Sequence, residues 1–369
     1  MNKVAVVSYG GIKFSREDIQ IESLLLSATK NLFDQNSKLD QKDIDVVLVS
    51  TNDNSKYLSA ILAELSGIEP KIAHTVESLC NSGTNTAVSA FSYISAGLAD
   101  VALVVGADRY DSPGQILQWD NSRGEYKHPI YWASIFTKAY KRKFGTTDEE
   151  LTYVAAKNHK NAKNNPYAFS NKSYSFDELF NSKILTNDLR ISDCSRPCSG
   201  GSAILLASEN IARKFTDKPV WISGIGQKTM SAGFTKNKNI SNMISTQEAA
   251  KIAFDMSHLK PDNVDFAEIH DAFTVCEFMA LEDLGLVQQG KSAQYVKNLF
   301  DTNDMKINPR GGLIGSGHPL GATGIAQIIE VVQQLQGTAG KRQINNPSIG
   351  LVHNMSAAAT SSTVLLLKS

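Results

Sequence analysis

Four cysteines in 369 residues are too few for a disulfide framework, which excludes a small stapled extracellular scaffold. They are Cys80, Cys194, Cys198 and Cys276. The short gap between Cys194 and Cys198 would suit a metal, but with no second Cys/His pair close by no metal site is expected. The chain also lacks a charge excess, with 37 Lys plus Arg against 37 Asp plus Glu. No global field draws it toward nucleic acid or an anionic membrane, so any anionic ligand must be held locally. Long apolar runs are missing too: Val101 to Val105 and Ala203 to Ala207 fall well short of the roughly 20 residues that span a bilayer. The N-terminus turns glycine-rich at Gly10 and Gly11 before a signal core forms, and no small-residue cleavage site follows. The expected location is cytoplasmic, where a reactive thiol stays reduced.

What is present is a globular composition, 42% hydrophobic and 20% charged, in a chain long enough for two domains or one duplicated unit. Short β-branched runs at Lys3 to Ser8, Asp45 to Ser50 and Val101 to Gly106 alternate with helical patterns, predicting an α/β fold with buried strands. A helix is predicted from about Ser15, with Glu17 and Asp18 in its first turn and Ile19, Ile21, Leu24, Leu25 and Ala28 on its buried face. The second half repeats the first. A strand at Val220 to Gly224, a helix at Thr246 to Met256 and the segment LKPDNVDFAEIHDAF answer the earlier LDQKDIDVVLVSTND, with Asp262 and Asp265 in place of Asp43 and Asp45. This predicts two related halves, residues 1–110 with 189–217 and residues 218–369, around an insertion at 111–188. The insertion is rich in Lys, Asn and Tyr. Each of its lysines reads singly as solvated surface, and together they suit the phosphates of a nucleotide-bearing ligand.

Cys80 stands in HTVESLCNSGTNTAVSAFSYISAG, where a polar loop gives way to a helix. A thiol there is expected to have its pKa lowered by backbone N–H groups and the helix dipole, which also hold an oxyanion. A buried structural cysteine is the plainer reading, and the neighbouring motifs weigh against it. EIHDAF (Glu268 to Phe273) ends a predicted core strand on His270 and Asp271, polar where a structural strand would stay apolar. NPRGGLIGSGHPLGATG places His318 between Gly317 and Pro319 in a glycine loop that runs into a helix from about Thr323, a poor place for a core histidine. LVHNMSAAATSSTVLLL adds His353 and Asn354 between two buried strands.

These segments together resemble the thiolase superfamily over nearly the whole chain. SLCNSG is similar to its nucleophile loop, GSGHPLGATG to its glycine-histidine-proline motif and HNMSAAATSS to its glycine-rich ending. HDAF, with HN in the last loop, resembles the sterol-carrier-protein type and the related archaeal and bacterial acetyl-CoA acetyltransferases. The resemblance implies a duplicated five-layered α/β/α/β/α fold with an inserted loop domain that contacts coenzyme A. It implies acyl-CoA thioesters as substrates with no further cofactor, a homodimer or tetramer, and in this branch a small zinc-bearing OB-fold partner. By motif, Cys80 is the acyl-accepting nucleophile, His318 activates it, and His270 holds the thioester oxygen of the acceptor. Asn354, Gly317 and Ser356 are supporting residues around the oxyanion sites, one of which would use the Cys80 backbone N–H.

The departure lies in the second acid/base. Thiolases commonly use another cysteine to move the α-proton of the acceptor, and its two usual places hold Ala272 and Asn354, neither of which titrates. Ser356 also stands where a glycine is usual. Cys276, four residues beyond Ala272, and His353 are the candidate substitutes. The expected activity is acetyl-CoA C-acetyltransferase or 3-oxoacyl-CoA thiolase. The alternatives are an acyltransferase or decarboxylative condensing enzyme that needs no second cysteine, and a non-catalytic partner-binding subunit, against which Cys80 and His318 argue.

Overall fold

The computed structural model describes residues 2–112, 116, 124–233, 236 and 239–369. The first half runs β1 (Val4–Gly11), α1 (Ile21–Asp34), β2 (Val46–Ser50), α2 (Leu58–Ser66), β3 (Ile72–Val76), α3 (Ser82–Ser95) and β4 (Val101–Asp108). Then come α4 (Pro129–Phe144), α5 (Asp148–Ala162), α6 (Phe176–Phe180) and the small strands β5 (Ile184–Thr186) and β6 (Leu189–Arg190), before β7 (Gly200–Ser208) and α7 (Ala212–Phe215). The second half has β8 (Val220–Thr229), α8 (Ile244–Ser257), β9 (Phe266–Glu268), α9 (Thr274–Asp283), α10 (Ser292–Thr302), α11 (Gly312–Ser316), α12 (Leu320–Gln336), β10 (Ile349–Ser356) and β11 (Ser361–Lys368). Residues 113–115 and 117–123 of the insertion lie outside the described residues.

The strands follow the order β3-β2-β4-β7-β1-β8-β11-β10-β9. At the β1–β8 junction only Ala5 with Trp221 and Val6 with Val220 are in register, so the row behaves as two sheets joined at one corner. Val4, Val6, Val46, Leu48, Val352 and Leu365 face a shared interior with Ala87, Ala90, Ile325 and Ile328 of α3 and α12. The outer face of the first sheet packs on α1 and α2 through Val47, Val49, Leu24 and Leu62. That of the second packs on α8 and α9 through Leu351, Leu366, Ala253 and Phe278. The result is the expected five layers, helices alternating with sheets. No helix among the described residues is long and apolar enough to cross a membrane.

The repeat between the halves is written in hydrogen bonds. Asp45 accepts the N–H groups of Asp100 and Val101 at 2.8 and 3.1 Å, and Asp265 accepts those of Ser348 and Ile349 at 2.7 and 2.9 Å. Each lies at the start of a strand running parallel to its partner, β2 with β4 and β9 with β10. The other predicted correspondence is off by one. Asp43 accepts the Asp40 N–H, and its counterpart is Asn263, which accepts the Lys260 N–H, rather than Asp262.

Helix starts also shift. The first helix begins at Ile21, not near Ser15, because Ser15 exchanges backbone hydrogen bonds with Ser199 at 2.9 and 2.7 Å and so holds this stretch extended. At the other loop, α12 begins at Leu320 rather than Thr323. His353 and Asn354 lie within β10 rather than between strands.

Candidate active site

The strand-to-helix turn that carries Cys80 is built from its own polar side chains. Ser82 Oγ accepts the Ser78 N–H at 2.8 Å and donates to Leu79 O at 2.6 Å. Asn81 Nδ2 donates to Thr363 Oγ1 of β11 at 3.1 Å. These ties hold Leu79 at φ 51°, a left-handed conformation that a branched side chain adopts at a cost of about 1–2 kcal/mol. Strain of this kind persists where the surroundings over-determine it, and here it turns Cys80 toward a cavity.

The loop with His318 is brought against that turn by close packing. A Cβ on Gly321 would sit 2.5 Å from Ser50 O, and one on Gly83 2.8 Å from Gly321 O, so the first turns of α3 and α12 meet backbone to backbone. Asp108, buried at the end of β4, accepts from Thr51, Asn52, Ser112 and the Gly321 N–H. It thereby pins the start of α12 to β2 and β4. Gly317 has φ 95° and ψ 164°, a region almost closed to other residues, and a Cβ there would fall 2.8 Å from Cys198 Sγ. Gly317→Ala is therefore expected to cost about 1–3 kcal/mol, read from the midpoint of a urea unfolding curve. An unchanged midpoint would contradict the packing described.

The ligating atoms of Cys80, His270 and His318 lie within 4.8 Å of one another, and the two imidazole rings meet edge to face at 5.2 Å. Their tautomers follow from the neighbours. The Thr323 hydroxyl donates its one hydrogen to Pro319 O at 2.9 Å, so it must accept from His318 Nδ1–H at 2.7 Å. That leaves the buried His318 Nε2 with a bare lone pair and no partner among the described residues. Burial, aided by Arg310, pushes the His318 pKa down to about 3, and burial lowers that of His270 as well. Both rings are neutral near pH 7.

The expectation of a lowered thiol pKa is corrected. Burial pushes the Cys80 thiol up to about 12, with Asp108 and Glu77 adding to the rise, and the N–H groups of Ala357 and Cys80 oppose it only in part. Desolvation outweighs the helix terminus. The thiol is protonated at rest and needs a base beside it, and His318 Nε2 has the chemistry of one.

These residues open on a cavity of about 670 Å³. Its walls are largely apolar, with Ile130 and Trp132 of α4, Phe169, Phe273, Leu320 and Met355, and among the described residues its charged lining residues are Arg16 and Arg196. The insertion therefore forms part of the wall.

The remaining candidates, Asn354, Gly317, Ser356, Cys276 and His353, do not line the cavity, although Ala357, next to Ser356, does. Asn354 donates to Gln327 Oε1 at 2.6 Å on the face toward α12, and Cys276 is fully buried in α9. His353 ends a relay: Ser245 donates to Ala359 O, Ser362 to Ser245, Thr246 to Ser362, and His353 Nε2–H to Thr246. Neither substitute base therefore has a face on the pocket. Ser356 is buried, and its C=O accepts the Thr360 N–H that closes the last loop. Within that loop Ala357, Ala358 and Ala359 all take positive φ.

Two groups of residues escaped sequence reasoning. The segment Cys194-Ser195-Arg196-Pro197-Cys198, considered only for metal, straps the site together. Cys194 bridges Phe273, the Ser195 N–H bonds Ala272 O at 2.8 Å, and the His318 N–H bonds Arg196 O at 2.9 Å. Cys194 consequently lines the cavity beside Ala272. The second group is on α5 and just beyond, where the solvated-surface reading is corrected: Lys157, Asn158, Asn161 and Asn165 are all buried. Asn161 donates to Asn308 O and Asn165 to Arg310 O, each at 3.0 Å, and Lys157 pairs with Glu277 at 3.1 Å. Asn158 donates to Asp271 at 2.7 Å, whose carboxylate also accepts the Leu313 and Ile314 N–H groups of α11. Burial beside Glu277 raises the Asp271 pKa to about 7. The spacing of Asn158 and Asn161, three residues apart on one face of α5, with Asn165 four further on just past the helix end, is the signal that would have found the asparagines.

A two-sheet fold with a thiol and two neutral imidazoles at the floor of an apolar cavity defines a class of enzyme-like sites suited to covalent acyl transfer. Residues 4–173 match the thiolase N-terminal domain and residues 226–369 the thiolase C-terminal domain-like family, and the chain belongs to the thiolase family. It is 30% identical to an acetyl-CoA acetyltransferase of Methanothermobacter thermautotrophicus, over 99% of both chains. To sterol carrier protein 2 of Bos taurus it is 32% identical, over 96% of this chain and 70% of that one. Among solved structures, the Ltp2-ChsH2(DUF35) aldolase superposes with a TM-score of 0.87 at 22% identity, covering 100% of this chain and 98% of that one, a likeness of fold.

Proposed function

We propose that this chain is an acyl-CoA acyltransferase that carries the acyl group as a thioester on Cys80. The observation that supports this most is the grouping of one thiol and two neutral imidazoles within 4.8 Å at the floor of a cavity whose apolar wall suits an acyl chain. His318 Nε2 takes the thiol proton as sulfur attacks the thioester carbonyl, and returns it to the departing CoA sulfur. The Cys80 N–H supports the oxyanion, and His270 faces the acceptor. Among the described residues, Arg16 and Arg196 are the positive charges on the cavity wall to which an anionic portion of the substrate would turn. The archaeal relative is named an acetyl-CoA acetyltransferase, and acetyl transfer to carbon is the reaction favoured here. Acetyl-CoA is expected to add one acetyl mass to Cys80 and to no other cysteine, located by peptide mapping. Label found only on Cys194, Cys198 or Cys276 would end this assignment.

The proton on the acceptor carbon needs its own group. Cys194 is the one further thiol lining the cavity, across the strand bridge from the segment with Ala272, and it fills that role in this proposal. Assembly belongs to the proposal too: the outer strand β3 leaves alternate residues exposed, which suits pairing with a second copy. The aldolase neighbour is named as a pair, Ltp2 with ChsH2(DUF35), and here the exposed Ile184 and Ile191, next to the cavity lip, suit a small partner of the DUF35 kind.

A further inference from the structure

We propose that Cys80, His270 and His318 also form a binding site for Zn²⁺, and that a metal bound there shuts off the thiol. The three donor atoms lie within 4.8 Å of one another. In a tetrahedral zinc site with bonds of about 2.0–2.3 Å, ligand atoms stand roughly 3.3–3.8 Å apart, so the widest pair closes by about 1.5 Å at most. One thiolate and two imidazoles form an ordinary ligand set for this metal, and the cavity leaves a fourth position for water.

A second observation points to a ligand. His318 is 7% exposed and His270 1%, yet His318 Nε2 and His270 Nδ1 have no hydrogen-bond partner among the described residues. The Thr323 bond fixes the His318 tautomer with its lone pair on Nε2, and a hydrogen-bonded second nitrogen is how metal-binding histidines are held. Both rings are neutral, so no proton must leave them. Arg310 acts against a cation at His318, and Arg16 and Arg196 also stand on the cavity wall, while Asp108 and Glu77 favour a cation at Cys80. On binding, the S–H bond breaks, an S–Zn bond forms and the proton passes to solvent. Metal and acyl group then exclude one another on the same sulfur.

The test uses the full chain stripped of metal, with zinc chloride alone as the probe and iodoacetamide alkylation of Cys80 followed by peptide mass. Alkylation reads the thiol whether or not Cys80 carries acyl groups, so this inference and the acylation proposal fail separately. One equivalent of Zn²⁺ is expected to slow alkylation at least about tenfold, with full recovery in EDTA and no effect of Mg²⁺. Co²⁺ is expected to give a thiolate charge-transfer band that Cys80→Ser abolishes and Cys194→Ser leaves intact. Alkylation at an unchanged rate in Zn²⁺ would overturn the proposal, as would Zn²⁺ affinity equal in Cys80→Ser and the parent. Because Cys80→Ser differs by one atom, its melting curve with and without Zn²⁺ separates lost binding from lost folding.

Discussion

Replacing His318 by alanine is expected to slow acylation of Cys80 by about 10²- to 10⁴-fold, the usual loss of a general base, while His270→Ala leaves acylation far less affected. The pH profile carries the stronger discrimination. A thiol held near pKa 12 stays protonated below that value, and an imidazole held near 3 stays a free base above it. The neutral pair, thiol with base, is thus the resting form across the whole range between. Acylation by the parent is expected to be nearly flat from about pH 5 to 9. Without His318, only thiolate supplied by solvent reacts, and the rate is expected to climb about tenfold per pH unit over the same interval. Stopped-flow release of CoA at a series of pH values measures both. A parent profile that bends near pH 6 would mean that His318 titrates in the working range. The burial described for it would then be wrong.

The fold was readable because each buried strand is a run such as VAVV or VALVV that burial on both faces demands, and because Asp45 and Asp265 repeat one local solution. Cys80, His270 and His318 were readable because each breaks a local rule, a polar residue at a strand end or a histidine amid glycines. The thiol's acidity was not, since a helix terminus is visible in sequence and the depth of a pocket is not. The strap from Cys194 to Cys198 was equally hidden. It acts through backbone groups, the Ser195 N–H and the Arg196 carbonyl, and these carry no residue signature. Lys157 and Asn158 look like surface on any hydropathy scale. Only the packing of α5 under the glycine loop reveals that they saturate carbonyls and carboxylates that would otherwise be buried alone.

Cys194→Ala is expected to separate the two halves of the reaction. Burial, with Asp193 nearby, pushes this thiol up to about 12, which makes it a proton donor at neutral pH rather than a ready base. Its role is therefore clearest in cleavage: as Cys80 sulfur attacks the 3-oxo carbon of acetoacetyl-CoA and the carbon–carbon bond breaks, the departing acetyl-CoA enolate needs a proton on carbon, which Cys194 on the cavity wall is expected to supply before CoA takes the acetyl group from Cys80. Thiolysis of acetoacetyl-CoA is expected to fall by about 10²- to 10⁴-fold in Cys194→Ala, with acetylation of Cys80 by acetyl-CoA changed by no more than about twofold. Ala272 lies across the same strand bridge, so Ala272→Cys in the Cys194→Ala background is expected to recover about tenfold, or about 1.4 kcal/mol of barrier. Cys194→Ser, with a far weaker acid of similar size, tells proton transfer from packing: it should resemble alanine in rate and the parent in stability. Thiolysis at the parent rate in Cys194→Ala would show that the α-proton moves by another route, and the same two assays on His353→Ala and Cys276→Ala would then locate it.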